Sequence, residues 1–289
     1  MIDLHSHSTH SDGTLTPSEL LILAKEKGIE YFAITDHDDI EGSKKLIESK
    51  HDGITVYSGV ELNAKVDKGQ MHILGYNIDL YNEELNNRLK ELKENSKHNI
   101  MLYVKQLKED FNIELPQKDI DEILNREGNI GRPLLALLLI KYGYVSTVAE
   151  AFEKYLRDDK VRNHKMWITK EECINLILNA GGIPVLAHPF TLKLTDEELH
   201  EEIKTLISLG LKGIEIVHSN SNEEQREYYK QLAKEFNLIT TGGTDYHGKE
   251  VKPNIELQNH CLSAACGRRN DKLCKLSVRA LGNKKIFFV

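Results

Sequence analysis

MIDLHSHSTHSDGTLTPSELLILAKEKGIEYFAITDHDD, residues 1–39, decides the fold. Its two ends read as strands, residues 2–5 and 31–35, and its middle as a helix. Thr16 caps that helix, Pro17 occupies its first turn, Glu19 completes a capping box and Gly28 ends it. Two strands joined by a helix of this length run parallel, because an antiparallel pair needs only a short turn. The polar residues are patterned as well. His5 and His7 alternate along the first strand, so both imidazoles project to one side. Asp12 follows in the next loop, and Asp36 and His37 stand at the end of the second strand. A surface strand has no use for so many imidazoles, whereas a metal site does.

The same rhythm continues. Further strands are expected at residues 55–60, 72–78, 183–187, 213–218 and 238–242, with capped helices in TDEELHEEIKTLISLGL and SNEEQREYYKQLAKEFNL. About seven strands in one α/β unit predict a distorted (β/α)7 barrel of the TIM type, with a doubly wound open sheet as the alternative. Residues 82–159 break the rhythm. EELNNRLKELKENSKHNIMLYVKQLKEDF is amphipathic, and helices follow around residues 119–125, 133–142 and 147–156. This is a helical insert, read as a cap over the barrel mouth. Residues 1–81 and 160–256 are then the barrel. Residues 257–289 form an atypical tail with seven Lys or Arg and one acid.

Composition narrows the function. The 289 residues carry a net charge of −7, which argues against a stable nucleic-acid partner but not against a nucleotide substrate held through bound cations. The longest apolar run, LLALLLI, is too short to span a bilayer, and the N-terminus has no export pattern. The four cysteines form no scaffold: Cys261, Cys266 and Cys274 crowd the tail with no zinc-ribbon spacing, and a reducing cytoplasm is the expected compartment.

The chemistry gathers at strand ends. Glu61 follows an apolar strand, where a charge is costly unless partnered. The link to His72 is too short for a parallel crossover, so a hairpin is expected that returns His72 to the same mouth. GGIPVLAHPF ends its strand at His188, KGIEIVH at His218, and TTGGTDYHG carries Asp245 and His247. Each residue alone has an ordinary explanation, as a helix cap or a core histidine. Together they put many acidic and imidazole groups at one end, and divalent cations resolve the mutual repulsion. Mixed nitrogen and oxygen donors without cysteine suit manganese, zinc or iron. The number of donors calls for two or three ions, an arrangement typical of hydrolysis at phosphorus. His10, His51, His98, His164, His200 and His260 are read as background.

DLHSHSTHSDG, ITDHD, GVELN, HILGY, VLAHP and TGGTDYHG, in this order across residues 1–256, resemble the motifs of the PHP (polymerase and histidinol phosphatase) family of metal-dependent phosphoesterases. IGRP, GYVSTVAEAFEKYL and AGGIPVLAHP are most similar to the stand-alone branch that acts on 3′,5′-bisphosphonucleotides or on the 5′ ends of short RNAs. The resemblance implies a distorted barrel with a helical insert and a division of ligands. One ion would take His5, His7, Glu61 and Asp245. A second would take Glu61, His72 and His188, and a third Asp12, His37 and His247. Asp36 would orient a ligand histidine, and Arg132 and His218 would bind substrate phosphate. Manganese is the first expectation for the metal. Two departures stand out: Leu134 where the branch usually has His, and a tail unlike the family's after KPNIEL.

The implied reaction is hydrolysis of a nucleotide phosphate ester by a metal-activated water, with His247 or His218 aiding the leaving group. A small-metabolite phosphatase of the histidinol-phosphate kind and a noncatalytic metal-binding module are the competing readings.

Overall fold

The computed structural model describes residues 2–157 and 167–257. The expected return to the barrel at residue 160, the tail after Leu257, and with it Cys261, Cys266, Cys274 and His260, lie outside the described residues, as does His164.

The structure is an α/β fold built on two sheets. Strands β1 (Ile2–Asp3), β2 (Tyr31–Ala33) and β3 (Thr55–Tyr57) form a parallel sheet in that order. The second sheet has the order β4 (Gly59–Ala64), β5 (Met71–Tyr76), β6 (Ile183–Leu186), β7 (Gly213–Val217) and β8 (Ile239–Gly242). In it β5 runs antiparallel to both β4 and β6, while β6, β7 and β8 are parallel. The β4–β5 hairpin is the one the short link requires.

The strand expected over residues 55–60 divides at Ser58, and its halves belong to different sheets. The hydroxyl of Ser58 donates to the Ile78 carbonyl, and the Gly59 N–H donates to the Ser43 hydroxyl. Gly59 is required here, since a Cβ would lie 2.8 Å from the Ile34 carbonyl oxygen. No continuous ladder joins the two sheets among the described residues. They meet instead at two isolated parallel bridges, Ser6 with Tyr246 and His37 with Glu61.

Helices cross between parallel strands as the capping patterns predict. α1 (Pro17–Glu26) has the Thr16–Glu19 capping box, and Gly28 takes a φ of 68° just beyond it. α2 (Glu41–Glu48) joins β2 to β3.

After β5 come α3 (Glu83–Phe111), α4 (Gln117–Leu124), α5 (Arg132–Lys141) and α6 (Val148–Lys154), in the stretch expected as a helical insert. α7 (Lys170–Asn179) leads back into β6. α8 (Asp196–Leu209) repeats the capping box with Thr195 and Glu198, and α9 (Glu223–Glu235) does so with Asn222 and Gln225.

α3 has 29 residues and is about 44 Å long. Its first half buries Leu85, Leu89 and Leu92 in the core beneath the second sheet. Its second half buries Ile100, Tyr103 and Leu107 in a separate core with α5 and α6. One helix therefore enters both cores. No helix among the described residues is long and apolar enough to cross a membrane.

Candidate metal centre

The backbone after β1 sets the first two imidazoles. Ser6 turns outward and donates its hydroxyl to the Ala33 carbonyl, so its neighbours His5 and His7 turn inward together, both fully buried. Their Nε2 atoms lie 3.2 and 3.1 Å from Glu61 Oε2. Asp245 Oδ1 approaches the same two atoms, at 3.6 Å from His5 and 3.1 Å from His7. The other Glu61 oxygen, Oε1, lies 2.8 Å from His72 Nδ1 and 3.0 Å from His188 Nε2. His72 reaches it because Glu61 pairs with Leu74 and Asn63 with His72 in the hairpin, which puts Glu61 and His72 on one face as diagonal neighbours.

A third group adjoins the first. His37 Nδ1 is 3.1 Å from Glu61 Oε2, and His247 Nε2 is 3.2 Å from Asp12 Oδ1. The His7 and His247 rings stack at 4.0 Å. Ligand-type atoms of His7, Asp12, His37 and His247 all lie within 4.8 Å of one another, as do those of His5, His7, Glu61 and Asp245, and those of His37, Glu61 and His72. Eight of the nine residues expected as ligands thus fall into three groups, with His7, His37 and Glu61 each in two of them, and the ninth, His188, joins through Glu61 Oε1.

The polar atoms in the middle of this cluster fit cations. His5 Nε2, His7 Nε2, His37 Nδ1, Asp12 Oδ1 and Glu61 Oε2 are buried and make no hydrogen bond. Such atoms are costly to bury without a partner. The electrostatics agree. Burial opposes the charged form of His7, but Asp245 and Glu61 outweigh it and raise its pKa to about 9. Burial dominates at His37 and lowers it to about 3. Burial would raise Glu61, yet His37, His5 and His72 hold it well below the ordinary carboxylate range. Two site residues, His188 and Asp245, have φ of 24° and 55°, conformations that L residues rarely adopt.

Asp36 reaches a histidine of the cluster through one neighbour. Its carboxylate accepts from the Ser8 N–H at 2.7 Å, the Ser8 hydroxyl at 2.7 Å and the Ser11 hydroxyl at 2.6 Å. Ser11 in turn lies 3.4 Å from His7 Nδ1, so Asp36 acts by fastening the loop that follows β1. His218 accepts from the Asn220 N–H at Nδ1 and directs Nε2 to Asp245 Oδ2 at 3.2 Å. The Lys252 ammonium meets the same Asp245 oxygen.

Above the cluster is a cavity of about 730 Å³, walled on the insert side by Asn99, Tyr103, Arg132 and Phe152. Arg132 begins α5, donates to the Leu156 carbonyl at 3.1 Å and lies 4.9 Å over the Phe152 ring. Leu134 faces away into the insert core. A strap of the insert, residues 126–129, grips the loops that carry the imidazoles. Arg126 donates to the Thr9 carbonyl, the Asn129 N–H to the His10 carbonyl and the Asn129 side chain to the His37 carbonyl, at 3.1, 2.7 and 3.1 Å. His10, read as background, is a buried anchor for this strap.

Sequence reasoning passed over Glu215 and Asp3, both buried. Glu215 accepts from His5 and from the His188 backbone. Asp3 accepts from Thr244 at its N–H and hydroxyl, and burial raises its pKa to about 7. The signal for Glu215 was present, since a charge inside the apolar run KGIEIVH needs a partner just as Glu61 does.

The sequence profile of the PHP domain matches residues 3–236. The chain belongs to the PHP family. Among PHP-family relatives, a 5′-3′ exoribonuclease of Haemophilus influenzae is 30% identical over 247 residues, covering 85% of this chain and 89% of its own. A 3′,5′-nucleoside bisphosphate phosphatase of Chromobacterium violaceum is 27% identical and covers 90% and 93%. Among solved structures, one described as an amidohydrolase from Chromobacterium violaceum with bound sulfate and no metal superposes with a TM-score of 0.79 at 27% identity, covering 89% of this chain and 92% of that one. One described as a metal-dependent phosphoesterase from Bifidobacterium adolescentis gives 0.76 at 27% identity, covering 94% and 97%.

Proposed function

We propose that this PHP-family chain is a metal-dependent phosphoesterase that hydrolyses nucleotide phosphate esters, taking a 3′,5′-bisphosphonucleotide or the 5′ end of a short RNA. The observation that carries the reading is the set of five buried, unbonded donor atoms around Glu61 at the foot of the cavity. The named relatives support the substrate class.

In this reading two or three divalent ions, manganese foremost and zinc or iron as alternatives, are held by His5, His7, Asp12, His37, Glu61, His72, His188, Asp245 and His247, with Glu61 shared. When bound, the ions supply a water of lowered pKa and offset the charge of the phosphate oxygens. The chain's own groups do the rest. Arg132, over the Phe152 ring at the cavity wall, takes a substrate phosphate through its fork of donors. His218 is the better proton donor for the leaving oxygen. Its Nδ1 is occupied by the Asn220 N–H, which leaves the proton on Nε2, the atom that meets Asp245. His247 is less suited, because in this reading its Nε2, 3.2 Å from Asp12, is given to a metal ion. We read the two sheets as halves of a distorted (β/α)7 barrel, and residues 82–159 as its cap. The bridges on either side of β1–β3 support that reading.

The test is release of phosphate or mononucleotide by the purified protein with manganese. The substrates are 3′,5′-bisphosphoadenosine, 5′-phosphorylated RNA oligomers and histidinol phosphate. Turnover of either nucleotide substrate is expected. Turnover of histidinol phosphate alone would replace the reading with the small-metabolite one, and none at all, with metal bound, would leave a binding module.

A further inference from the structure

We infer that Glu215 is a positioning residue that sets two ligand histidines at once, His5 through its ring and His188 through its backbone. The inference rests on the metal-binding part of the reading above.

Glu215 lies in β7, beside β6 in a parallel register that pairs Leu186 with Ile214. One step further along, its side chain meets the residues that follow β6. It is 1% exposed. Oε1 is 3.0 Å from His5 Nδ1, and Oε2 accepts the His188 N–H at 2.8 Å. The rings of His5 and His188 stack on each other, 5.6 Å apart and 24° from parallel.

Each contact fixes something the ligand cannot fix alone. At His5 an acceptor-only carboxylate keeps the proton on Nδ1, which frees the lone pair of Nε2 to face Glu61 and Asp245. At His188 the backbone is strained, with φ 24° and ψ 69° directly before Pro189. The charge-assisted bond to its N–H holds it in the conformation that aims Nε2 at Glu61. His5 and His188 face opposite oxygens of Glu61, so Glu215 sets ligands on both sides of the shared carboxylate.

The chemistry makes a sharp substitution. Both partners of Glu215 are donors, and a carboxylate can serve both. A glutamine can serve only one. If its oxygen takes the His188 N–H, its NH2 faces His5 Nδ1 and drives the His5 proton onto Nε2. If it is flipped, the NH2 opposes the His188 N–H and the strained turn loses its tether. Either way one ligand is lost without a change in volume.

The experiment measures Mn²⁺ affinity of wild type, Glu215→Gln and Glu215→Asp by competition with a chromophoric chelator. Far-UV circular dichroism checks folding, and activity is followed against Mn²⁺ concentration. Glu215→Gln should bind Mn²⁺ about 10- to 100-fold more weakly and regain activity at high Mn²⁺. Glu215→Asp keeps charge and both acceptors and should lose less. Wild-type affinity in Glu215→Gln overturns the inference, and so does equal weakening in the two variants, which would mean packing alone. If Glu215→Gln does not fold, Glu215→Ala takes its place, and wild-type Mn²⁺ affinity in that variant overturns the inference. A wild type that binds Mn²⁺ but turns over no nucleotide defeats the proposed activity and leaves the Glu215 comparison standing. A wild type that binds none defeats both.

Discussion

His37 and Glu61 are bridged through the backbone and brought face to face at their side chains. The Asp38 N–H donates to the Glu61 carbonyl at 2.9 Å, and the Glu61 N–H donates to the Asp36 carbonyl at 3.1 Å. The side chains then meet at 3.1 Å between Nδ1 and Oε2. His37 extends the first sheet and Glu61 belongs to the second, so the seam between sheets and the centre of the candidate metal site are one structure.

Glu61→Ala should therefore lower kcat by about a thousandfold, the equivalent of several kcal/mol of metal-borne stabilisation, and reduce the metal bound per chain. His37→Ala should also lose activity by orders of magnitude. Steady-state assays with metal analysis check both. Activity that persists in the two variants would put the chemistry elsewhere.

Removing metal should change the pH dependence of stability. The His7 pKa is 6.5 in an unfolded chain and about 9 in the metal-free fold. The fold holds a proton that the unfolded chain releases in this range. The resulting stabilisation is complete below pH 6.5 and is lost as pH rises through 9, by up to about 3 kcal/mol. His37, lowered to about 3, acts in the opposite sense and only below pH 6.5. Bound ions compete with the His7 proton, so they bind more tightly as pH rises. The gap in Tm between metal-loaded and EDTA-treated protein should widen from pH 6.5 to 9. A constant gap in thermal melts contradicts this.

Arg132→Ala should raise KM for phosphorylated substrates about 10- to 100-fold, the loss of one charge-assisted contact worth about 1.5–3 kcal/mol. Arg132→Lys should restore little, because an ammonium lacks the planar fork and cannot stack on Phe152 in the same way. Initial rates across substrate concentration test the pair, and a lysine variant that matches wild type would show that only charge matters.

Gly128→Ala tests the strap. A Cβ there would lie 1.9 Å from the His10 carbonyl oxygen, so residues 126–129 must lift from the loops beneath. The expected cost is about 1–3 kcal/mol of stability. Activity should fall as well, although no proposed ligand has been touched. Thermal melts and kcat measured together decide this, and a loss of stability with unchanged kcat would detach the strap from the site.

Much of the site was legible because ligands sit at the ends of apolar strands, where a charged or imidazole residue is conspicuous. His5, His7, Glu61, His188 and Asp245 stand out on that ground alone. Glu215 hid because it lies within a strand, where the apolar run masks it. Asp36 was found but its route to His7 was not, since its partners Ser8 and Ser11 are ordinary loop residues whose role depends on the turn after β1. The division at Ser58 was illegible for a related reason. Residues 55–60 have uninterrupted strand character, and only the close approach of Gly59 to Ile34 shows that the chain changes sheets there. The helices of the insert were legible from periodicity, but their shared core with the second half of α3 is a tertiary fact that periodicity does not encode.

That α3 enters both cores limits how the protein can be taken apart. Its midpoint residues Asn95, Ser96 and Asn99 border the cavity, between the leucines of one core and the tyrosine of the other. Trimming the chain to a minimal version without residues 82–159 would strip an apolar stripe from the sheet as well as a roof from the cavity. Heating should accordingly melt the two cores as a single cooperative unit.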